Sequence, residues 1–322
     1  MKILVRLPNA LGDMVMSTAF LAALYQQYPQ AIVHIILKKE IAEVAELIPY
    51  PVVIHKFSKN EYKGLGGLYR FGKNLKSEKF DVVFCLPESI SSTVMCWASG
   101  AKQKIGFSSF LNISLFTKTN PRPAGVHRVL EYLSLLEKYA NKKLPEVKVE
   151  LNSAGNADEL VLINFNSEAI SRRMPFTKAT SILTDLLIQF PNTKFALIGS
   201  PNEAEYITQL FNQFENENLI NLAGKTTVKS LATIMKAAKF MLSTDSGPAH
   251  LANSLGLPLL VLFGAGNENN TAPFNKSDLY VIRLGELACE PCVKNTCIYG
   301  SPKCLALLEN KNIIDVFSKY IN

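Results

Sequence analysis

Short continuous apolar runs recur along this chain, each closed by a turn of small or polar residues and followed by an amphipathic stretch. Lys2-Ile3-Leu4-Val5-Arg6-Leu7 runs into Pro8-Asn9-Ala10-Leu11-Gly12, and Asp13 then opens a helical pattern reaching about Tyr28. A strand that reads apolar on both faces must be covered on both faces, and a parallel sheet with helices on either side supplies that cover. The alternation therefore places the chain in the α/β class with doubly wound parallel sheets.

The same rhythm continues with predicted strands at Ala31–Leu37, Val52–Phe57, Asp81–Leu86 and Gln103–Phe107. Between and after them come helices at Ile41–Ile48, Leu65–Leu75, from Ser89 to Ala98, and His127–Tyr139. Asn141–Asn156 is polar and holds Pro145 and Gly155, so the domain linker falls there. The pattern then restarts, with strands at Leu160–Phe165, Lys194–Ile198, Leu219–Leu222, Ala237–Leu242, Pro258–Phe263 and Tyr280–Leu284. Helices fall at Thr177–Phe190, Glu203–Phe214, Val228–Ala238, Leu251–Leu255 and Lys303–Ile321. Two Rossmann-like domains facing a cleft are expected, residues 1–150 and 151–305, with 306–322 as a C-terminal helix.

At 322 residues the chain is long enough for both. The longest apolar stretch, Leu257–Phe263, is strand length, and Pro8, Asn9, Gly12 and Asp13 interrupt any signal-peptide core. A cytoplasmic enzyme is expected. Charge is unevenly shared. Residues 1–150 hold 20 Lys/Arg against 12 Asp/Glu, whereas residues 151–322 hold 14 against 15. No acid stands between Glu88 and Glu131, and Lys56, Lys59, Lys63, Arg70, Lys73, Lys76 and Lys79 form a basic tract. Each lysine alone reads as a solvated surface group; the asymmetry reads equally as a field for an anionic partner.

Ser243-Thr244-Asp245-Ser246-Gly247-Pro248-Ala249-His250 lies between a predicted strand and the helix after it. Ligands of open α/β sheets bind at such carboxyl ends, and a helix N-terminus there suits a phosphate. The stretch reads as a nucleotide site. Arg172-Arg173-Met174-Pro175 precedes the next helix, where cations are unfavourable unless an anion is held. Asp13 reads either as a helix N-cap or as a general base aimed into the cleft. Gly224-Lys225-Thr226-Thr227 looks like the tail of a P-loop, but Leu219 stands where its first glycine belongs. No G-x-G-x-x-G follows the first strand. Cys289, Cys292, Cys297 and Cys304 cluster in sixteen residues. They read as a zinc or iron–sulfur site or, with no histidine nearby, as a structural knuckle of free or partly oxidised thiols.

Together these segments resemble glycosyltransferase family 9, the bacterial heptosyltransferases of lipopolysaccharide core assembly. The resemblance rests on Leu7–Met16, Arg172–Pro175, Gly224–Thr226, Ser243–His250 and the cysteine-rich segment, and the opening looks closer to the heptosyltransferase II branch. It implies a GT-B fold with the acceptor on the first domain, an ADP-sugar on the second, and a C-terminal helix packing back on the first. It also implies an inverting, metal-independent transferase with no cofactor and no nucleic-acid partner. Asp13 matches the catalytic carboxylate. Donor contacts would come from Arg172, Arg173, Lys225, Thr226, Thr244, Asp245, Ser246, Gly247, His250 and Gly264. Acceptor contacts would come from Asn9, Gly12, Lys73, Lys76 and Arg122. A phosphate-bearing lipid-linked acceptor also accounts for the basic first half. The Leu65–Lys79 stretch and the acid-free Ser89–Leu130 segment would then form the acceptor and inner-membrane face of a peripheral enzyme.

The chain departs from that pattern around the donor, at Asn166-Ser167-Glu168-Ala169, at Met174 and at Ala265-Gly266-Asn267. A family 9 transferase using another nucleotide sugar is therefore also open, as is a catalytically silent GT-B module. A sugar-nucleotide epimerase fits less of the motif set.

Overall fold

The computed structural model describes residues 1–321 and divides into two units, Met1–Leu151 and Asn152 onward. In unit 1 the chain runs β1 (Lys2–Arg6), α1 (Leu11–Met16), α2 (Thr18–Gln27), β2 (Ile32–Lys38), β3 (Val52–Phe57), α3 (Gly64–Asn74), β4 (Val82–Cys85), α4 (Ile90–Ala98), β5 (Gln103–Phe107), α5 (Phe110–Leu115), β6 (Lys118–Asn120) and α6 (Arg128–Ala140). All neighbours are parallel in the order β3-β2-β1-β4-β5-β6, with Val5 opposite Ile35 and Phe84. Strand β4 is buried throughout and β1 from Ile3 onward, which is why they read as near-continuous apolar runs.

Several elements differ from the sequence reading. The helix expected from Asp13 to Tyr28 is two helices, because Ser17 donates its hydroxyl to the Met14 carbonyl at 2.6 Å and breaks the ladder. Lys39–Leu47 is a 3-10 segment rather than an α-helix. The short α5 and the polar edge strand β6 left no periodic signal. Glycine density makes α3 a poor helix by propensity. Gly72 is required there, since a Cβ would stand 2.3 Å from the Met95 carbonyl on α4.

His34 on β2 and His55 on β3 stack with ring centroids 5.2 Å apart, and their ring nitrogens meet at 2.9 Å. Burial pushes both imidazoles below the ordinary 6.5. For His55 the neighbouring His34 adds to the shift; for His34, Lys2 adds to it and Glu78 opposes it. A depressed histidine contributes stability above the unfolded value, and that stability is lost as pH falls through the folded one. The stability of unit 1 is therefore expected to drop as pH falls from about 7 to about 5. The drop should be smaller in His55→Gln, read by urea melts across that range.

Unit 2 repeats the plan as β7 (Val161–Asn164), α7 (Phe176–Gln189), β8 (Phe195–Leu197), α8 (Ala204–Phe211), β9 (Leu219–Asn221), α9 (Val228–Ala237), β10 (Phe240–Thr244), α10 (Gly247–Ser254), β11 (Leu259–Phe263), α11 (Glu268–Thr271), β12 (Leu279–Arg283), α12 (Lys303–Ala306) and α13 (Asn310–Ile321). Its parallel order is β12-β11-β10-β7-β8-β9. Strand β10 begins three residues later than the sequence suggests, because Ala237 still closes α9. Ser243 and Thr244 therefore lie inside the strand.

The apolar face of α13 is buried in unit 2: Ile313, Ile314, Val316 and Phe317 belong to the second core, and the Phe317 ring meets Phe240 edge-on at 5.0 Å. Burying a phenylalanine of this kind contributes about 2–3 kcal/mol.

Candidate functional site

The strand order locates a crevice in each unit. In sheet 2 the chain leaves β7 toward β8 and β9, but leaves β10 toward β11 and β12, so the order reverses between β7 and β10. Loops leaving two such strands part, and the carboxyl ends between them hold ligands. Asn164, Asn166 and Ser167 stand at the end of β7, and Asp245 and Ser246 stand at the end of β10.

These loops are tied tightly. Asn164 donates its amide to the Ser246 hydroxyl at 2.8 Å and to the Ser243 hydroxyl at 3.1 Å. Thr244 donates its hydroxyl to the Asn166 carbonyl at 2.6 Å. The hydroxyls of Thr244 and Ser246, expected to touch a donor, thus serve first to hold the two loops together. Asp245 is 3% exposed and pairs with Arg172 at 3.2 Å. Gly266 presses on the same carboxylate, since a Cβ there would lie 2.0 Å from Asp245 Oδ2. Arg283 holds that glycine loop. It donates to the Gly264 carbonyl at 2.9 Å and to the Gly266 carbonyl, and it pairs with Glu268.

Arg173 reaches the Ser167 carbonyl at 3.4 Å and stacks over Tyr206, 5.9 Å from the ring centroid. Buried Nε atoms of Arg172 and Arg173 and Oδ1 of Asn166 have no hydrogen-bond partner among the described residues. Unmet donors beside the α10 N-terminus are the equipment of an anion site. Gly247 opens α10, and His250 is buried on its second turn. Gly264 packs against Cys304 and Leu305, where a Cβ would meet Cys304 Sγ at 2.8 Å. Lys225 and Thr226 follow β9, three strands from β10, and Lys225 donates to the Asn221 carbonyl at 2.9 Å. They stand about 14 Å across the sheet from Asp245.

The cysteine-rich segment braces this crevice. Ser171 N–H donates to the Asn295 carbonyl at 3.1 Å, its hydroxyl donates to Lys294, and Val293 N–H donates to the Ala265 carbonyl at 2.8 Å. Cys289, Cys292, Cys297 and Cys304 line one cavity of about 50 Å³ with Ser171 and Ala265. All four are free thiols, and burial, helped by Glu290, pushes Cys304 up to about 11. Among the described residues no three His, Cys, Asp or Glu are grouped to hold a metal ion.

Sheet 1 reverses between β1 and β4. The turn after β1 is fixed by Arg6, which is fully buried and donates to the Leu7 carbonyl, to the Ile36 carbonyl at 3.2 Å and to the Asn9 side chain at 2.5 Å. Asn9, expected to meet an acceptor, therefore has its side-chain oxygen engaged in holding the turn. Gly12 and Asp13 lie in the first turn of α1, whose N-cap is Ala10. Asp13 is thus not an N-cap, and its carboxylate is available for other work.

That carboxylate heads a chain of alternating charges. Arg128 stands 3.8 Å from Asp13 and 3.2 Å from Glu131; Arg122 stands 2.8 Å from Glu131 and 3.3 Å from Glu88. Glu131, 6% exposed, is the buried centre, and Asp13 and Glu88 are the open ends. The Arg122 guanidinium carbon also stands 4.4 Å from the centroid of the Phe107 ring. Burial, reinforced by the Asp13 charge, holds the Tyr132 phenol protonated well above its ordinary range. Sequence reasoning found Asp13 and Arg122 as site residues but missed Arg128, which lies inside the acid-free segment, and Glu88 and Glu131, which bound it.

Lys73 and Lys76 are not part of this cluster. Helix α3 follows a parallel strand, so it ends at the amino edge of the sheet, where Glu78 pairs with Lys2 at 3.0 Å. That edge is about 15 Å, one strand length, from Asp13.

An anion-seeking crevice in one Rossmann-like unit and a cluster of carboxylates and guanidiniums in another are equipment suited to a group-transfer enzyme. The model of "Glycosyltransferase family 9 (heptosyltransferase)" matches residues 68–302, well over half of the sequence. Lipooligosaccharide heptosyltransferase 2 of Campylobacter jejuni is 24% identical over 336 residues, covering 99% of each chain. Lipopolysaccharide heptosyltransferase 2 of Escherichia coli is 25% identical over 316 residues, covering 88% of each. Among solved structures, E. coli ADP-heptose LPS heptosyltransferase II aligns with a TM-score of 0.83 at 20% identity, covering 100% of this chain and 98% of that one. E. coli heptosyltransferase WaaC with ADP aligns at 0.80 and 15%, covering 99% and 100%. The fold is that of GT-B glycosyltransferases. The chain belongs to glycosyltransferase family 9, and it is an enzyme of the heptosyltransferase type.

Proposed function

We propose that the protein transfers a heptose from ADP-heptose to the inner core of a lipopolysaccharide or lipooligosaccharide, with inversion and without a metal. The observation that carries the reading is the division of chemistry between the two switch points: an open carboxylate at one, and paired guanidiniums beside a helix N-terminus at the other. The names of the relatives, lipooligosaccharide and lipopolysaccharide heptosyltransferases, support the donor and acceptor class.

In this reaction an acceptor hydroxyl attacks the anomeric carbon from the face opposite the diphosphate. The new C–O bond forms as the bond to the diphosphate oxygen breaks, and the hydroxyl proton passes to Asp13. Charge gathers on the departing ADP, where Arg172, Arg173 and the α10 N–H groups meet it. Asp245, held under the glycine loop, serves as a ribose or base contact and as the anchor of Arg172. Lys225 and Thr226 serve the distal part of the nucleotide. The enzyme acts on the cytoplasmic face of the inner membrane as a peripheral protein. No helix of the described residues is long and apolar enough to cross a membrane.

The test offers the purified protein a panel of ADP-, UDP- and GDP-linked sugars with a lipid-linked core acceptor, with and without EDTA. ADP release that requires both ADP-heptose and acceptor, that survives EDTA, and that gives a product of opposite anomeric configuration is the expected result. Faster turnover with another nucleotide sugar would overturn the donor assignment, and loss with EDTA the metal-independent step.

A further inference from the structure

Helices α3, α4 and α5 form one layer on one side of sheet 1. They connect β3 to β4, β4 to β5 and β5 to β6, all moving the same way across the sheet, and right-handed crossovers put such helices on one side. Helix α3 packs on α4 through Gly72, and α4 on α5 through a hydrogen bond from the Thr93 hydroxyl to Asn112. The outward residues of this layer are unusually apolar. Phe110 is 91% exposed, Ile113 66%, Leu65 61% and Ile90 55%, and exposed Tyr69 and Trp97 touch with ring centroids 5.7 Å apart. Leu65, Ile90 and Phe110 each occupy the first turn of their helix, so all three crown the carboxyl edge of the sheet, the edge that carries Asp13.

The charge around them has one sign. None of the three helices contains an acid, while Lys63, Arg70, Lys73 and Lys76 border α3 without an ion pair among the described residues. The nearest acids are already matched: Glu61 by Lys39 at 2.8 Å, Glu78 by Lys2 and Glu88 by Arg122. Protruding aliphatic and aromatic side chains among unpaired cations fit an anionic bilayer surface, where rings and alkyl groups enter the head-group boundary and the cations meet lipid phosphates. A protein partner of ordinary composition would leave these cations unmatched.

We propose that the α3–α4–α5 layer of unit 1 is a membrane-docking surface for anionic phospholipid, with Phe110 and Ile113 as its inserting anchors. This deepens the reading of the first half as lipid-facing. It places the contact on aromatic and aliphatic anchors rather than on lysines alone, and it brings the carboxyl edge with Asp13 down to the bilayer.

The experiment is sedimentation of the full chain with phosphatidylcholine vesicles containing or lacking phosphatidylglycerol, at low and high salt. Wild type should pellet with the anionic vesicles only, and less at high salt. Phe110→Ser with Ile113→Ser should partition at least about tenfold less, with an unchanged melting temperature and unchanged ADP binding. The readout is vesicle binding and not transfer, so it stands whether or not the proposed donor is correct. Equal binding by variant and wild type, or no binding by wild type, would overturn the proposal. So would a wild-type dimer that the double substitution turns into a monomer with vesicle binding intact, because a second copy would then cover the face.

Discussion

Asp13→Asn is expected to lower the rate of sugar transfer by about 10²–10⁴-fold while leaving ADP affinity within about twofold. The carboxamide has the same shape as the carboxylate but cannot take the acceptor's proton. It should not unfold the first unit, because Arg128 keeps Glu131 at 3.2 Å when its outer partner loses charge. Glu131→Gln is the structural comparator: it removes the buried centre on which Arg122 and Arg128 both lean, and it should lower the melting temperature as well as the rate. Single-turnover transfer, calorimetric ADP titration and thermal melts separate these effects. An Asp13→Asn enzyme with more than about a tenth of the parent rate would remove Asp13 from the base role.

The second large effect lies at Arg172. Arg172→Gln takes the guanidinium away from the Asp245 carboxylate, which is buried between the two loops and against Gly266. Breaking a buried ion pair of this kind costs about 3 kcal/mol, or about 10 °C in the melting of a unit this size. Donor affinity should fall as well, because a guanidinium facing the diphosphate is gone. The double variant Arg172→Gln with Asp245→Asn should recover most of the melting temperature and none of the donor affinity. Recovery of donor affinity in the double variant would show that Arg172 acts only as the partner of Asp245 and does not touch the diphosphate.

The cysteine-rich segment shows how far a motif can be read without a fold. Four cysteines in sixteen residues suggested a metal or a knuckle. The structure shows them lining one cavity, on a segment that clasps both the Arg172 loop and the Ala265-Gly266 loop. Its tertiary work on the donor crevice is to hold these two loops, through backbone carbonyls that no residue-type pattern encodes.

Lys73 and Lys76 mark the opposite case. By composition they belong with the other cations of the first half. Parallel-strand geometry sends the end of α3 to the amino edge, away from Asp13, while Leu65 at its start stays beside the site edge. The C-terminal helix makes a related point. An amphipathic face shows in sequence that a helix will bury Phe317 and Ile313, but not which core receives them.

The sequence alone determined the class of fold, the number of sheets, and the placement of Asp13, Arg172 and Asp245 after strands; its motifs carried the resemblance to the family. The fold class and the placements follow from local periodicity, and the turn after a buried strand must come at its carboxyl end. Only the tertiary structure decided that the order reverses between β1 and β4 and between β7 and β10. It alone decided that Arg128 and Glu131 stand behind Asp13, that Arg172 closes on Asp245, and that Thr244 and Ser246 are spent as ties. These are contacts between residues tens of positions apart. Side-chain reach and burial set them, and neither is written into the spacing of residues along one chain.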